Sequence, residues 1–124
     1  MTGGGIGVAR VYDPPSAGDG HRVLVDRLWP RGLSKADPRV DEWCRDIAPT
    51  TALRRWYAHR PERFDEFSRR YLTELSDADH TDALAQLEAL RRQGKLTLVT
   101  ATKDVALSHA RVLAARLAGD AHAE

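Results

Sequence analysis

The chain has 124 residues, 42% of them hydrophobic and 30% charged, with a formal net charge of +1. That length fits one domain with a real core, and the near-neutral balance counts against a protein whose main task is coating nucleic acid. One cysteine, Cys44, excludes an internal disulfide, and no apolar run reaches the length of a membrane span.

The chain opens on Met1-Thr2-Gly3-Gly4-Gly5, with no basic region followed by an apolar stretch, so no signal peptide is expected and the predicted location is cytoplasmic. Residues 1–124 read as a single domain with flexible ends at about 1–5 and 119–124. Ile6–Tyr12 is the first predicted strand, on its β-branched and aromatic residues. Asp13-Pro14-Pro15 stops it, because two prolines cannot continue a ladder, and Ser16–Gly20 is turn-rich. Arg22–Asp26 is the second strand. Asp37-Pro38 then gives a helix start, an N-cap followed by proline, with Val40, Trp43, Cys44 and Ile47 on one face at helical spacing. Pro49 and Thr50 end that helix and begin the next, whose apolar side is Leu53, Trp56 and Tyr57. Pro61 starts a third, in which Phe64, Phe67, Tyr71 and Leu75 recur every three to four residues. A fourth runs from about Asp79 to Gln93 and stops at Gly94. Leu96–Thr100 is the third strand and reads as fully buried. The last helix runs from about Asp104 to Leu117, with Ala106, Ala110, Leu113 and Leu117 as a narrow apolar stripe and Thr102 as its N-cap.

Strands at both ends with helices between them predict an α/β fold: a small central, mostly parallel sheet with helices packed around it in Rossmann-like layering. Four predicted helices separate the second and third strands, which allows those two to be parallel. The link between the first two strands, about nine residues, is short for a parallel crossover and leaves their relative direction open.

In open α/β sheets ligands bind at the carboxyl ends of parallel strands. Two segments fit that place. The first, Asp26–Lys35, packs an acid, three cations, an indole and a Pro/Gly pair behind the apolar run Val23-Leu24-Val25. The second, Thr100–Asp104, links the third strand to the last helix. Arg27, Arg31 and Lys103 are the candidate anion ligands, because guanidinium groups grip phosphate or carboxylate with two hydrogen bonds at once. Thr102 adds the backbone of a predicted helix start. Trp29 is a candidate wall, and Asp26, Asp104 and His109 are the acid/base candidates. The segment lacks the glycines of a Walker loop or a dinucleotide fingerprint. Each residue also has a plain structural role open to it: Asp26 as a turn cap, Trp29 as core, Arg31 and Lys103 as solvated surface, His109 as a satisfied structural histidine. Cys44, on an apolar face, reads as a buried inert thiol. His21, His59, His80, His109 and His122 are scattered and no cysteine pair exists, so no metal site and no cofactor is implied.

Charge is unevenly placed. Residues 22–35 carry four cations and one acid, residues 54–70 six arginines and three acids, and residues 74–88 five acids without Lys or Arg. The arginine-rich stretch holds Arg54, Arg55, Arg60, Arg63, Arg69 and Arg70 with Trp56 and Tyr57 among them. The expected task is therefore binding, with or without transformation, of a small anionic ligand such as a phosphorylated metabolite or nucleotide. The alternatives are a nucleic-acid-associated accessory or regulatory protein using the basic helices, and an interaction module that forms a homodimer through Trp29 and the arginines. No membrane partner is expected.

Several strings carry a family resemblance. Val11–Pro15, Arg22–Leu33, Asp46–Thr50, Leu53–Tyr57, Arg69–Tyr71 and the final Thr-Lys-Asp resemble the short, YeaO-like branch of domain-of-unknown-function family 488 over nearly the whole chain. The resemblance implies a small bacterial α/β domain and implies no activity. Longer members carry cysteines near the third strand's end and a Cys-His-Arg triplet on the last helix. This chain has Thr100 and Ser108-His109-Ala110 at the corresponding places. The histidine is kept and the thiols are gone, which counts against thiol or metal chemistry and in favour of His109.

Overall fold

A computed structural model describes residues 5–119. The ends expected to be flexible, about 1–5 and 119–124, lie outside the described residues except for Gly5 and Gly119. Four strands, β1 (Ile6–Arg10), β2 (His21–Leu24), β3 (Glu42–Trp43) and β4 (Leu96–Thr100), form one sheet in the order β1-β4-β2-β3. Every neighbouring pair is parallel, with Leu98 opposite both Val8 and Val23. The fold is thus a small α/β fold, a parallel sheet with four helices packed around it.

The first two strands run parallel but are not neighbours, because β4 lies between them. Their short link suffices without a helix: about ten extended residues reach roughly 33 Å, twice the length of a five-residue strand. Arg22, buried at 2% exposure, clips this return loop in place. Its guanidinium donates to Asp19 Oδ2 at 2.6 Å, the Asp13 carbonyl at 3.0 Å and the Arg39 carbonyl at 2.7 Å. Gly20 has φ +66°, and a Cβ there would collide with the Lys95 carbonyl.

The predicted helix at 37–48 does not form. Residues 41–44 are instead drawn along the open edge of β2: Asp41 N–H donates to the Arg22 carbonyl at 2.9 Å and Cys44 N–H to the Leu24 carbonyl at 2.8 Å. The Asp41 carboxylate accepts from Arg22 N–H at 2.8 Å. Trp43 packs with Trp29 in one hydrophobic cluster while the adjacent Cys44 joins the other. Neighbouring side chains thus go to opposite faces, the strand period that the i, i+3, i+4, i+7 pattern had masked. Arg45–Ile47 forms one 3-10 turn.

Helices α1 (Thr51–Tyr57), α2 (Phe64–Glu74), α3 (Ala78–Gln93) and α4 (His109–Ala118) follow. Thr50 caps α1, its hydroxyl accepting from Leu53 N–H at 3.2 Å. Glu74 at the end of α2 accepts in turn from Thr50 N–H at 3.0 Å and its hydroxyl at 2.6 Å, which locks the two helices together. Helix α4 begins later than expected. Val105–Leu107 makes a 3-10 turn and Ser108 is extended, so Thr102 caps no helix. Ala101 N–H is spent on the Asp26 carboxylate and Thr102 N–H on Thr100 Oγ1, and the chain bends at Ala101 and Lys103. Ala106, in the 3-10 turn, is exposed and outside the buried stripe of Ala110, Leu113 and Leu117.

Period-two alternation divides the core. Val23, Val25, Leu96 and Leu98 join the helical residues Leu53, Phe67, Tyr71, Leu87 and Leu113 in the larger cluster. Leu24 and Val99 face the other way, onto Val11, Leu33, Trp29 and Trp43. Each fully buried Leu or Phe contributes about 1.5–3 kcal/mol by leaving water. Among the described residues, no helix is long and apolar enough to cross a membrane.

Candidate functional site

Three parallel strands end side by side, and their exits shape one cleft of about 920 Å³. It lies at the carboxyl ends of β1, β4 and β2, where open α/β sheets bind ligands. All eight sequence-predicted residues line it: Asp26, Arg27, Trp29 and Arg31 from the loop after β2, Thr102, Lys103 and Asp104 from the segment after β4, and His109 from the start of α4.

The floor is a network around Asp26. Its carboxylate accepts from the Thr100 hydroxyl at 2.7 Å and from Ala101 N–H at 2.8 Å. His109 Nε2 lies 3.0 Å from the Val25 carbonyl and 3.3 Å from Asp26 Oδ1. Burial pushes the Asp26 carboxyl up, but the His109 contact, Ala101 N–H and Thr100 hydroxyl outweigh it and hold the group below the usual carboxylate range. One acid thus joins the ends of β2 and β4 to the start of α4. Thr102 completes the floor, with its N–H donating to Thr100 Oγ1 at 3.1 Å. Behind it the Tyr71 ring meets the His109 ring edge-on at 6.0 Å.

The wall after β2 is stiffened from within. Leu33 N–H closes a turn on the Pro30 carbonyl at 3.4 Å, with Gly32 at φ +86°, the conformation that favours glycine there. Trp29 Nε1 donates to the Leu33 carbonyl at 2.9 Å, and the Tyr12 hydroxyl donates to the Arg31 carbonyl at 2.8 Å. Trp29 meets Trp43 edge to face at 5.3 Å, with the Lys35 ammonium 5.4 Å and 5.6 Å from the two rings. Trp29 is therefore both core and cleft wall. Trp43 in turn donates to the Asp26 carbonyl at 2.7 Å. Leu28, 67% exposed, stands at the rim.

The cations divide into two kinds. Arg27 is turned onto the chain itself, one Nη donating to the Ala48 and Pro49 carbonyls at 3.2 Å and 3.3 Å, with Nε buried and unpaired. It fastens the start of α1 to the cleft. Arg31 and Lys103 are exposed and form no salt bridge among the described residues. Asp104 sits at the rim without a hydrogen bond to either His109 or Asp26, so the structure does not unite the three acid/base candidates. Its charge and, more strongly, burial push the Tyr57 hydroxyl up.

Sequence reasoning missed the opposite wall. Helix α1 supplies Arg54 and Arg55, both exposed and free of salt bridges among the described residues. Beyond it come Ala58 and His59, both in the left-handed region at φ 50° and 57°. The signal for this wall was partly present, in the Pro49-Thr50 helix start followed by two arginines. What joins it to the site is Arg27, a contact between residues more than twenty positions apart. Cys44 lies outside the cleft, and burial, with Glu42 and Asp46 adding, pushes its thiol up to about 11.

The family model described as the Inactive DUF488-N3 subclade, DUF488-N3i, matches residues 5–124. The chain belongs to this subclade. It is 54% identical over 114 residues to the uncharacterized protein Rv3073c of Mycobacterium tuberculosis, covering 92% of this chain and 94% of that one. An uncharacterized protein of Mycobacterium bovis matches to the same extent. The uncharacterized Escherichia coli protein YeaO is 42% identical over 105 residues, covering 85% of this chain and 90% of that one. No solved structure matches. The expected kinship with the YeaO-like branch of family 488 holds.

Proposed function

We propose that this DUF488-N3i protein binds a small anionic ligand, a phosphorylated metabolite or nucleotide, at the carboxyl ends of β1, β4 and β2. One observation carries the reading: Arg31, Lys103, Arg54 and Arg55, from three separate segments, border a single cavity with none of their charges spent on a carboxylate of the chain. Cations held on opposite walls of a partly apolar cleft attract and orient an anion. Trp29, Tyr12 and Tyr57 offer apolar surface between them for a flat group.

Binding is favoured over turnover by the state of the hydroxyls. Ser108 donates to the Val105 carbonyl at 2.7 Å, and Thr100 donates to Asp26, so neither is set up as a nucleophile with His109 as its base. A small ligand is favoured over nucleic acid by the state of the other arginines. Arg60, Arg69 and Arg70 pair with Glu62 or Glu66, and Arg63 stacks on Trp56 at 5.1 Å. Only Arg54 and Arg55 of that stretch remain, and they belong to the cleft. The lone thiol fits a reducing compartment, and we place the protein in the cytoplasm. The reading is tested by thermal shift with inorganic phosphate and a nucleotide panel on wild type and Arg31→Ala. A ligand-dependent rise in Tm that the variant reduces is expected. No shift for any ligand, or identical behaviour of the variant, counts against it.

A further inference from the structure

We infer that the cleft selects anions that also carry a hydrogen-bond donor, an O–H or N–H group that His109 accepts through Nδ1. The inference rests on the anion-binding reading above and adds to it the second half of the ligand. His109 Nε2 faces two oxygens, the Val25 carbonyl at 3.0 Å and Asp26 Oδ1 at 3.3 Å. A carbonyl has no proton to give, and an ionised carboxylate has none either. The neutral ring must therefore carry its proton on Nε2, and Nδ1 keeps its lone pair. Nδ1 accepts no hydrogen bond among the described residues, and it is not among the sealed, unpaired polar atoms. The ring lines the cleft, so this lone pair is offered to whatever enters.

The neighbouring groups leave that place open. The Ser108 hydroxyl is committed to Val105, the Thr100 hydroxyl to Asp26, and Thr102 Oγ1 lies 3.1 Å from Thr100 Oγ1. A ligand with a donor satisfies Nδ1 as it displaces water. A ligand without one leaves a desolvated acceptor unpaired, which is penalised. The role is recognition: the Asp26–His109 pair fixes one tautomer so that the floor reads a donor while the rim holds the charge. The chain thereby has a use for a histidine beside which neither the Thr100 nor the Ser108 hydroxyl is free to be activated.

The test compares matched ligands by calorimetry on the full chain: glycerol phosphate against propyl phosphate, and a ribonucleotide against its dideoxy counterpart. In wild type the hydroxylated member of at least one pair binds about tenfold tighter, the worth of one good hydrogen bond. In His109→Phe that ratio falls to about one. Equal binding of both members to wild type, in both pairs, overturns the inference and leaves anion binding standing. Binding of none of the four overturns both. A second measurement needs no variant. Nitrogen NMR of the wild-type ring is expected to show the Nε2–H form, with the Nδ1 resonance moving on addition of glycerol phosphate but not of propyl phosphate. A ring in the Nδ1–H form, or one carrying both protons at neutral pH, overturns the inference.

Discussion

Replacing Asp26 by asparagine tests the account of the cleft floor most directly. The carboxylate accepts two short hydrogen bonds, from Thr100 and Ala101, and lies beside the His109 N–H. Bonds to a charged group contribute about 1.5–3 kcal/mol each. Asparagine keeps its oxygen for Ala101 N–H and turns its amide toward Thr100 Oγ1, which reverses and accepts, passing its own proton to Thr102 Oγ1 at 3.1 Å. His109 retains the Val25 carbonyl, while its N–H now faces the asparagine amide, donor against donor, where Oδ1 had been. The net loss is near that of one charged bond, about 2 kcal/mol, which lowers Tm by roughly 6–12 °C for a chain of this length. The pH dependence has a definite sign. A carboxyl whose folded pKa lies below its unfolded value stabilises the fold above about pH 4, and that contribution is lost as pH falls through the folded pKa. The gap between wild type and Asp26→Asn is therefore full at neutral pH and closes in acid, where wild type becomes a neutral acid too. Urea unfolding followed by circular dichroism, at neutral pH and in acid, measures it. Equal midpoints at neutral pH, or a gap undiminished in acid, would refute the assignment of Asp26 as the charged joint of the three elements.

Three further outcomes are expected. Arg31→Ala and Lys103→Ala each weaken phosphate-ester binding about tenfold while stability stays within about 0.5 kcal/mol, because neither side chain holds the fold; calorimetry and urea melts separate the two effects. His80, buried between the Asp77 carboxylate at 2.9 Å and the Ala48 carbonyl at 2.9 Å, is pushed down by burial and more strongly raised by those two bonds. Its contribution is full below about pH 6.5 and lost as pH rises through the raised value, so the stability gap to His80→Gln shrinks from mildly acidic to alkaline buffer; a constant gap would contradict this. Cys44, with its thiol raised to about 11, resists a thiol-specific reagent in the folded protein at mildly alkaline pH and reacts at once in urea, and fast labelling of the native chain would show the site to be open.

The strands that read clearly were those whose burial left no choice. Leu96–Thr100 is central and buried throughout, and its limits match the sequence reading. Glu42–Trp43 was illegible for the opposite reason. It is an edge of two residues whose pairing depends on the free backbone of β2 and on Asp41 and Arg22, none of which writes a local pattern. The late start of α4 was hidden in the same way. A local reading sees Thr-Lys-Asp ahead of a helical run, whereas Ala101 N–H is taken by Asp26, some seventy-five positions away.

The same logic sorts the residues of the site. The run from Asp26 to Leu33 is dense in functional-looking groups because its fold demands them. Asp26 holds β4 and α4, Arg27 holds the start of α1, and the Trp29 indole closes its own loop on Leu33. These groups are inward-facing and would be required even of a chain with no ligand, so their presence certifies kinship and folding rather than binding. Arg31 differs: its carbonyl is used by Tyr12 while its guanidinium is spent on no carboxylate of the chain, and Lys103 and Arg54 face the same space in the same condition. Arg55 lines the cavity in that condition too, and the proposed anionic ligand is what would pair these four charges. The functional signal therefore resides in the residues that do nothing for the fold, and substitutions there separate binding from stability in a way that substitutions at Asp26 or Arg27 cannot.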